Sequence, residues 1–95
     1  MERPMESDRI REIEKILSTI WMEVLEKPDI DRSVSFLDLG GDSLNAMSCI
    51  SRIHKVFGVE FTLDEFFLDD ATILQFALII DQVQSLSAGQ RNRTV

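Results

Sequence analysis

The stretch Asp38-Leu39-Gly40-Gly41-Asp42-Ser43-Leu44 decides how this chain folds, because two glycines and a serine stand directly before a helical pattern. Glycine permits backbone conformations that other residues avoid, and serine and aspartate are favoured where a helix begins. The pattern predicts a helix from Asp42 or Ser43 to about Phe57, and Gly58 then ends it as a C′ glycine. Its apolar side consists of Ala46, Cys49, Ile50, Ile53, Val56 and Phe57.

A long helix precedes this stretch, and a long loop joins the two helices. Apolar residues recur at three- and four-residue spacings from about Asp8 to Glu26, which predicts the first helix. Its N-cap is Ser7 or Asp8, and Pro28 stops it. Residues 29–42 form the loop. We expect four of its apolar residues to pin it to the core: Ile30, Phe36, Leu37 and Leu39.

Two capping boxes predict two further helices. Each box combines a threonine hydroxyl with a carboxylate or amide three residues later. The box Thr62-Leu63-Asp64-Glu65 opens a short third helix that ends near Asp69-Asp70, and the box Thr72-Ile73-Leu74-Gln75 opens a fourth that runs to about Leu86. No stretch alternates convincingly at a period of two. The sequence therefore predicts an all-α fold, a small four-helix bundle with three long helices and one short third helix.

The composition fits one small domain. The 95 residues are 44% apolar and 28% charged, which is ordinary for a globular protein. We expect the domain to occupy residues 8–86, between a flexible N-terminus at residues 1–7 and a flexible C-terminal tail at residues 87–95. One cysteine and one histidine exclude an internal disulfide framework and a multi-histidine metal site.

The charge and the termini limit the partners and the location. The net charge is −7, the opposite sign to that of most nucleic-acid-binding proteins, so we expect protein partners and no nucleic acid. No apolar run approaches the roughly 20 residues that a membrane span needs, and residues 1–6 lack the apolar core of an export signal. We expect a cytoplasmic monomer that does not bind membranes.

Ser43 and its neighbours admit several interpretations. The simplest is that Asp42 or Ser43 caps the helix. That does not explain the doubled glycine or the apolar residues that follow, because Leu44 and Met47 lie off the apolar side of the helical wheel. We therefore expect both to be exposed around the serine. Exposed apolar residues beside a reactive group indicate a docking surface.

Two catalytic or metal-binding alternatives fail on spacing. Gly41-Asp42-Ser43-Leu44 spells the block that names the GDSL hydrolases, but the only histidine, His54, lies eleven residues along the same helix and cannot face back to Ser43. A calcium loop that starts at Asp29 would need glycine where Val34 stands and glutamate where Gly40 stands. Neither a catalytic residue nor a metal site is predicted.

The run Leu39-Gly40-Gly41-Asp42-Ser43-Leu44 resembles the attachment motif of phosphopantetheine carrier proteins. The resemblance covers about residues 8–86, and Phe36-Leu37 resembles the apolar pair that anchors the family's first loop. The doubled glycine and the following Leu44-Asn45-Ala46-Met47 resemble the peptidyl carrier type, the thiolation domain of nonribosomal peptide synthesis. Fatty-acid carriers usually have an acid where this chain has Asn45.

The resemblance implies a carrier and not an enzyme. A phosphopantetheinyl transferase would attach 4′-phosphopantetheine from coenzyme A to Ser43, flanked by Gly41, Asp42 and Leu44, with both glycines leaving space for its approach. The arm's thiol would hold an aminoacyl, peptidyl or acyl group as a thioester. Further implied partners are an adenylation enzyme or domain and a condensation, tailoring or thioesterase enzyme. The expected partner contacts are Leu44, Met47, Ser51, Phe66 and Leu68.

Three points complete the predictions. Phe67 resembles the family's core position, which leaves Phe66 or Leu68 partly exposed. Cys49 lies on the apolar side of its helix and is expected to be a buried, unreactive thiol. Two alternatives for the function remain open: an acyl carrier protein of fatty-acid or polyketide synthesis, and a helical interaction module without a cofactor.

Overall fold

The computed structural model describes the backbone of residues 4–93 and the side chains of residues 8–86. Three α-helices follow one another along the chain: α1 (Pro4–Leu25), α2 (Ser43–Phe57) and α3 (Ile73–Arg93). A single 3₁₀ turn, Asp64–Phe67, lies between α2 and α3. Residues 4–93 contain no strand, so the all-α prediction is confirmed. The count of four helices is corrected to three α-helices and one 3₁₀ turn.

Helices α1 and α3 are both longer than predicted. Helix α1 begins at Pro4, so Ser7 and Asp8 lie inside it and neither is its N-cap. Proline suits the first helical position because its missing N–H has no intrahelical partner there. Helix α3 begins one residue after Thr72, whose hydroxyl accepts the N–H of Gln75 at 3.1 Å, and continues to Arg93. The flexibility predicted for the chain ends stays a prediction, and residues 1–3 and 94–95 lie outside the described residues.

The third predicted helix is a 3₁₀ turn because its capping box forms only in part. The Glu65 carboxylate accepts the N–H of Thr62 at 2.7 Å and its hydroxyl at 3.1 Å. The reciprocal bond, from the Glu65 N–H to the Thr62 hydroxyl, is replaced by a bond to the Thr62 carbonyl at 3.2 Å. A bond three residues back is the 3₁₀ pattern, which seldom continues beyond four residues.

An aromatic cluster fills the centre of the bundle. Trp21 of α1 is fully buried and meets the ring of Phe36 edge-on, with 5.0 Å between centroids, and that of Phe76 at 5.8 Å. Phe66 lies in the same cluster, 5.0 Å from Phe36 and 4.8 Å from Phe76. Edge-to-face pairs of this kind add about 0.5–1.5 kcal/mol each beyond the burial of their area. Every element of the chain except α2 contributes a ring.

The roles of the two adjacent phenylalanines are the reverse of those predicted. Phe66 is fully buried and Phe67 only half-buried, so the expectation that Phe66 contacts partners is wrong. The 3₁₀ turn aims Phe66 at the core, whereas an α-helix from Thr62 would have allowed either residue to face inward. Leu68, just after the turn, has 53% of its surface exposed.

The end of α1 is held in a conformation that normally takes glycine. The Lys27 N–H donates to the Met22 carbonyl at 3.0 Å, which is the long bond of a Schellman motif. Glu26 stands at the C′ position of this motif with φ at 57°, the left-handed region. A side chain with a Cβ is strained there.

We expect Glu26→Gly to stabilise the fold by on the order of 0.5–1 kcal/mol, because relief of left-handed strain exceeds the added entropy of the unfolded chain. Thermal unfolding followed by circular dichroism should show a midpoint about 2–6 °C higher. Glu26→Ala is the matched control because it removes the carboxylate but keeps the Cβ. Equal stabilisation by both variants would assign the gain to charge and contradict the strain.

Candidate functional site

The loop between α1 and α2, residues 26–42, is tied to the start of α3 and to the side of α1. The Phe36 N–H donates to the Ala71 carbonyl at 2.8 Å, and the Arg32 carbonyl accepts the N–H of Leu74 at 3.2 Å. The Arg32 guanidinium also donates to the carboxylate of Glu14, a buried acid on α1, at 3.1 Å. These bonds fix the path by which the chain arrives at Ser43.

Gly41 provides room for the Phe36 ring. A Cβ at Gly41 would lie 2.2 Å from a ring carbon of Phe36, far inside contact distance, and Gly41 is buried. Its N–H also donates to the Phe36 carbonyl at 3.0 Å. Gly40, by contrast, has φ at +96° with open space around it. The expectation that both glycines leave space for an approaching enzyme is therefore corrected for Gly41, which faces the core.

Asp42 is the N-cap of α2, and Ser43 is the first helical residue. The Asp42 carboxylate accepts the Asn45 N–H at 2.9 Å, and the Asn45 side-chain oxygen accepts the Asp42 N–H at 3.3 Å. This reciprocal pair is a capping box. Because Asp42 takes the capping role, the Ser43 hydroxyl is left over.

The Ser43 side chain is exposed at the open end of α2. Its hydroxyl has no hydrogen-bond partner among the described side chains, and the N–H groups of Ser43 and Leu44 have no acceptor among the described residues. Free N–H groups and the positive end of the helix dipole favour a phosphate at this position. The site can therefore present an alcohol for esterification and hold the phosphate that results.

The catalytic and calcium alternatives find no support in the described part of the chain. His54 is exposed near the other end of α2, about 16 Å along the axis from Ser43. Residues 8–86 hold no cluster of three or more potential metal ligands. Asp31 accepts the N–H and hydroxyl of Ser33 at 2.9 and 2.7 Å, and these bonds lower the pKa of its carboxyl.

Exposed apolar side chains accompany the serine. Leu44 is 77% exposed and Met47 57%, which confirms the predicted exposure of both. Ser51 is exposed on the same helix. Leu37, which we expected to pin the loop to the core, is 53% exposed in the turn before Gly40. Its neighbour Phe36 alone of this pair is the anchor.

Helix α2 departs from the predicted wheel at one apolar position. Ala46, Cys49 and Ile53 are buried, but Val56, expected on the same side, is 56% exposed. The helix ends one residue later, where Gly58 donates its N–H to the His54 carbonyl, so the bundle no longer covers its last turn. Burial raises the pKa of the Cys49 thiol to about 12, and the buried cysteine predicted from the sequence is confirmed.

The positions of the site residues define one test of the local packing. Gly41→Ala should destabilise the fold by about 1–3 kcal/mol, because the added methyl group displaces the Phe36 ring from a filled core. Trp21 packs against that ring, so its near-ultraviolet circular dichroism should weaken as well.

Gly40→Ala is the control, since that position is strained by its positive φ but open in space. It should lower stability without changing the Trp21 signal. An unchanged Trp21 signal in Gly41→Ala would contradict the proposed contact.

Comparisons with known proteins agree with this arrangement. Residues 15–80 match the family described as "Phosphopantetheine attachment site". Nonribosomal peptide synthetase asaC of Aspergillus flavus is 35% identical over 77 residues, which are 81% of this chain and 7% of that protein. The chain spans at most 7% of the length of the synthetases compared here.

Two solved structures have the same fold. One is the peptidyl carrier protein in the "Structure of the Phosphopantetheine Transferase Sfp in Complex with Coenzyme A and a Peptidyl Carrier Protein", with TM-score 0.68 and 30% identity over 74% of this chain and 90% of that one. The other is BlmI, a type-II acyl carrier protein of Streptomyces verticillus, with TM-score 0.69 and 25% identity over 87% of this chain and 95% of that one. No helix in the described residues could cross a membrane.

Proposed function

The chain belongs to the family of phosphopantetheine attachment domains, and from that premise we propose that Ser43 carries a 4′-phosphopantetheine arm. The observation that supports this position is the exposed, unpartnered hydroxyl of Ser43 in the first turn of α2. Among the residues of the motif, Asp42 is occupied as the N-cap and Gly41 faces the core. Leu44 flanks the serine on the exposed side.

The proposed modification is a phosphoryl transfer to Ser43. The Ser43 oxygen attacks the phosphate that bears the pantetheine arm in coenzyme A, and adenosine 3′,5′-bisphosphate leaves with the bridging oxygen. A base of the transferase takes the hydroxyl proton, since the first turn of α2 offers none. The N–H groups of Ser43 and Leu44 then lie at the helix end where the new phosphodiester is attached.

The arm supplies a thiol that holds cargo as a thioester, and this chain supplies a rigid anchor without catalytic groups. A thioester transfers its acyl group readily to an amine, so such an arm can pass activated amino acids or peptides between enzymes. We propose the peptidyl type, which is supported by the similarity to nonribosomal peptide synthetases and by the motif. The proposed partners are a phosphopantetheinyl transferase, an adenylation enzyme, and a condensation, tailoring or thioesterase enzyme, in the cytoplasm where coenzyme A is available.

An acyl carrier of fatty-acid or polyketide synthesis is the second candidate, and the similarity to BlmI over most of both chains favours keeping it. The two candidates share the attachment site and differ in cargo. Incubating the modified chain with an amino-acid-activating enzyme and, separately, with a malonyl transferase distinguishes them by the mass of the thioester formed.

The attachment site itself is tested by mass. Incubation with Sfp and coenzyme A should increase the intact mass of the chain by one phosphopantetheine group, and Ser43→Ala should abolish the increase. Ser48→Ala is the matched control, because Ser48 is also exposed on α2 but lies in the helix interior. An unmodified wild-type chain would favour a cofactor-free module, and a modified Ser43→Ala variant would place the arm elsewhere.

The apolar residues beside Ser43 are proposed to dock the partners. Leu44 and Met47 form the centre of this surface, with Ser51 further along α2 and Leu68 after the 3₁₀ turn. Exposed methionine suits a surface that meets several enzymes, because its side chain adapts its shape.

Met47→Glu should lower kcat/KM for modification by Sfp about tenfold, or ~1.4 kcal/mol, because a charge would replace an apolar contact. Val56→Glu is the matched control, since Val56 is 56% exposed on the same helix but near its far end. Both variants should keep the wild-type circular dichroism spectrum. Equal kinetics for Met47→Glu and wild type would contradict docking at Met47.

A further inference from the structure

Asn45 makes three hydrogen bonds that join the turn carrying Ser43 to the end of α1. Its N–H and side-chain oxygen form the reciprocal pair with Asp42. Its side-chain N–H₂ donates in addition to the Val24 carbonyl, with 3.4 Å between the nitrogen and the oxygen. One amide side chain therefore contributes to the start of one helix and the end of another.

The acceptor of the third bond belongs to a helix end that lacks partners of its own. Val24 is the penultimate residue of α1, and the last four carbonyls of an α-helix have no intrahelical donor. Asn45 supplies a donor to one of them. The bond also fixes how far the first turn of α2 lies from α1, because Asn45 is only two residues from Ser43.

We propose that Asn45 is a positioning residue for the modification of Ser43, an inference that rests on the proposed function. The Ser43 side chain contacts no described group, so only the backbone of its turn determines where the hydroxyl points. First turns of helices open readily, and the Asn45–Val24 bond opposes that opening from the neighbouring helix. Asn45 thus keeps the hydroxyl in one orientation for the incoming phosphate.

The chemistry of the side chain explains why an amide stands at this position. Asparagine offers both an acceptor, used by the Asp42 N–H, and a donor, used by the Val24 carbonyl. An ionised aspartate at the same place would keep the acceptor but lose the donor. It would also turn a negative charge toward the C-terminal end of α1, where the helix dipole is negative.

A second tie between the same two helices provides a control. Arg52 lies seven residues beyond Asn45, about 10 Å further along α2. Its guanidinium donates to the carboxylate of Glu23, the residue before Val24. Both ties therefore hold the last turns of α1, but only Asn45 also belongs to the turn of Ser43.

The test compares Asn45→Asp, Asn45→Ala and Arg52→Gln with the wild-type chain at a temperature well below unfolding. Hydrogen exchange of the amides of Asn45 and Ala46 is measured in the unmodified chain, and kcat and KM are then measured for modification by Sfp and coenzyme A. We expect both Asn45 variants to exchange these amides at least about tenfold faster and to lower kcat about fivefold, with KM within twofold of wild type. Arg52→Gln should leave exchange and kcat near the wild-type values.

The outcomes separate positioning from a general structural role. An unchanged kcat in the Asn45 variants, or an equal loss of kcat in Arg52→Gln, overturns the proposal. Loss in Asn45→Asp but not in Asn45→Ala also overturns it, because added charge would then be the cause. If no variant and no wild-type chain is modified, the proposed function fails. The exchange comparison still decides in that case whether Asn45 holds the turn, and wild-type exchange in Asn45→Asp contradicts it.

Discussion

The contact between the Phe36 ring and Gly41 is the constraint from which the site follows. Phe36 is fully buried against Trp21, and the ring fits only because residue 41 has no Cβ. The Phe36 backbone binds the carbonyl of Ala71 before α3 and the N–H of Gly41 before α2. One residue thus anchors the long loop, joins two helix starts and turns the chain outward at Asp42. The core determines where the serine is presented.

The fold could be predicted to the level of helix positions, because three- and four-residue apolar spacing, Gly58 and Thr72 are local signals. The boundaries failed where two local signals competed. Ser7 and Asp8 are good caps, but Pro4 starts α1 earlier. The segment from Thr62 carries a capping box, yet a bond from Glu65 to the Thr62 carbonyl makes it a 3₁₀ turn. Which of Phe66 and Phe67 faces inward depends on that choice, and wheel geometry alone could not decide it.

The candidate site could be predicted at the serine and less well around it. A serine after a doubled glycine at a helix start gives both an exposed alcohol and free N–H groups, and these are properties of the local sequence. The inward role of Gly41 was missed because it depends on Phe36, five residues earlier, reaching back across the loop. The bond from Asn45 to Val24 joins residues 21 positions apart. No sequence pattern signals such a contact before the helices are packed.

The proposed arm also makes sense of where the chain keeps its own thiol. Cys49 lies fully buried on α2, and its pKa of about 12 leaves it protonated at neutral pH. A protonated, buried thiol is a poor nucleophile, so it cannot take an acyl group from a thioester on Ser43. A cysteine on the exposed side of α2, near Met47, would compete for the cargo and trap it. The separation of one inert thiol inside from one attachment alcohol outside therefore keeps the cargo on the mobile arm, where partner enzymes can reach it.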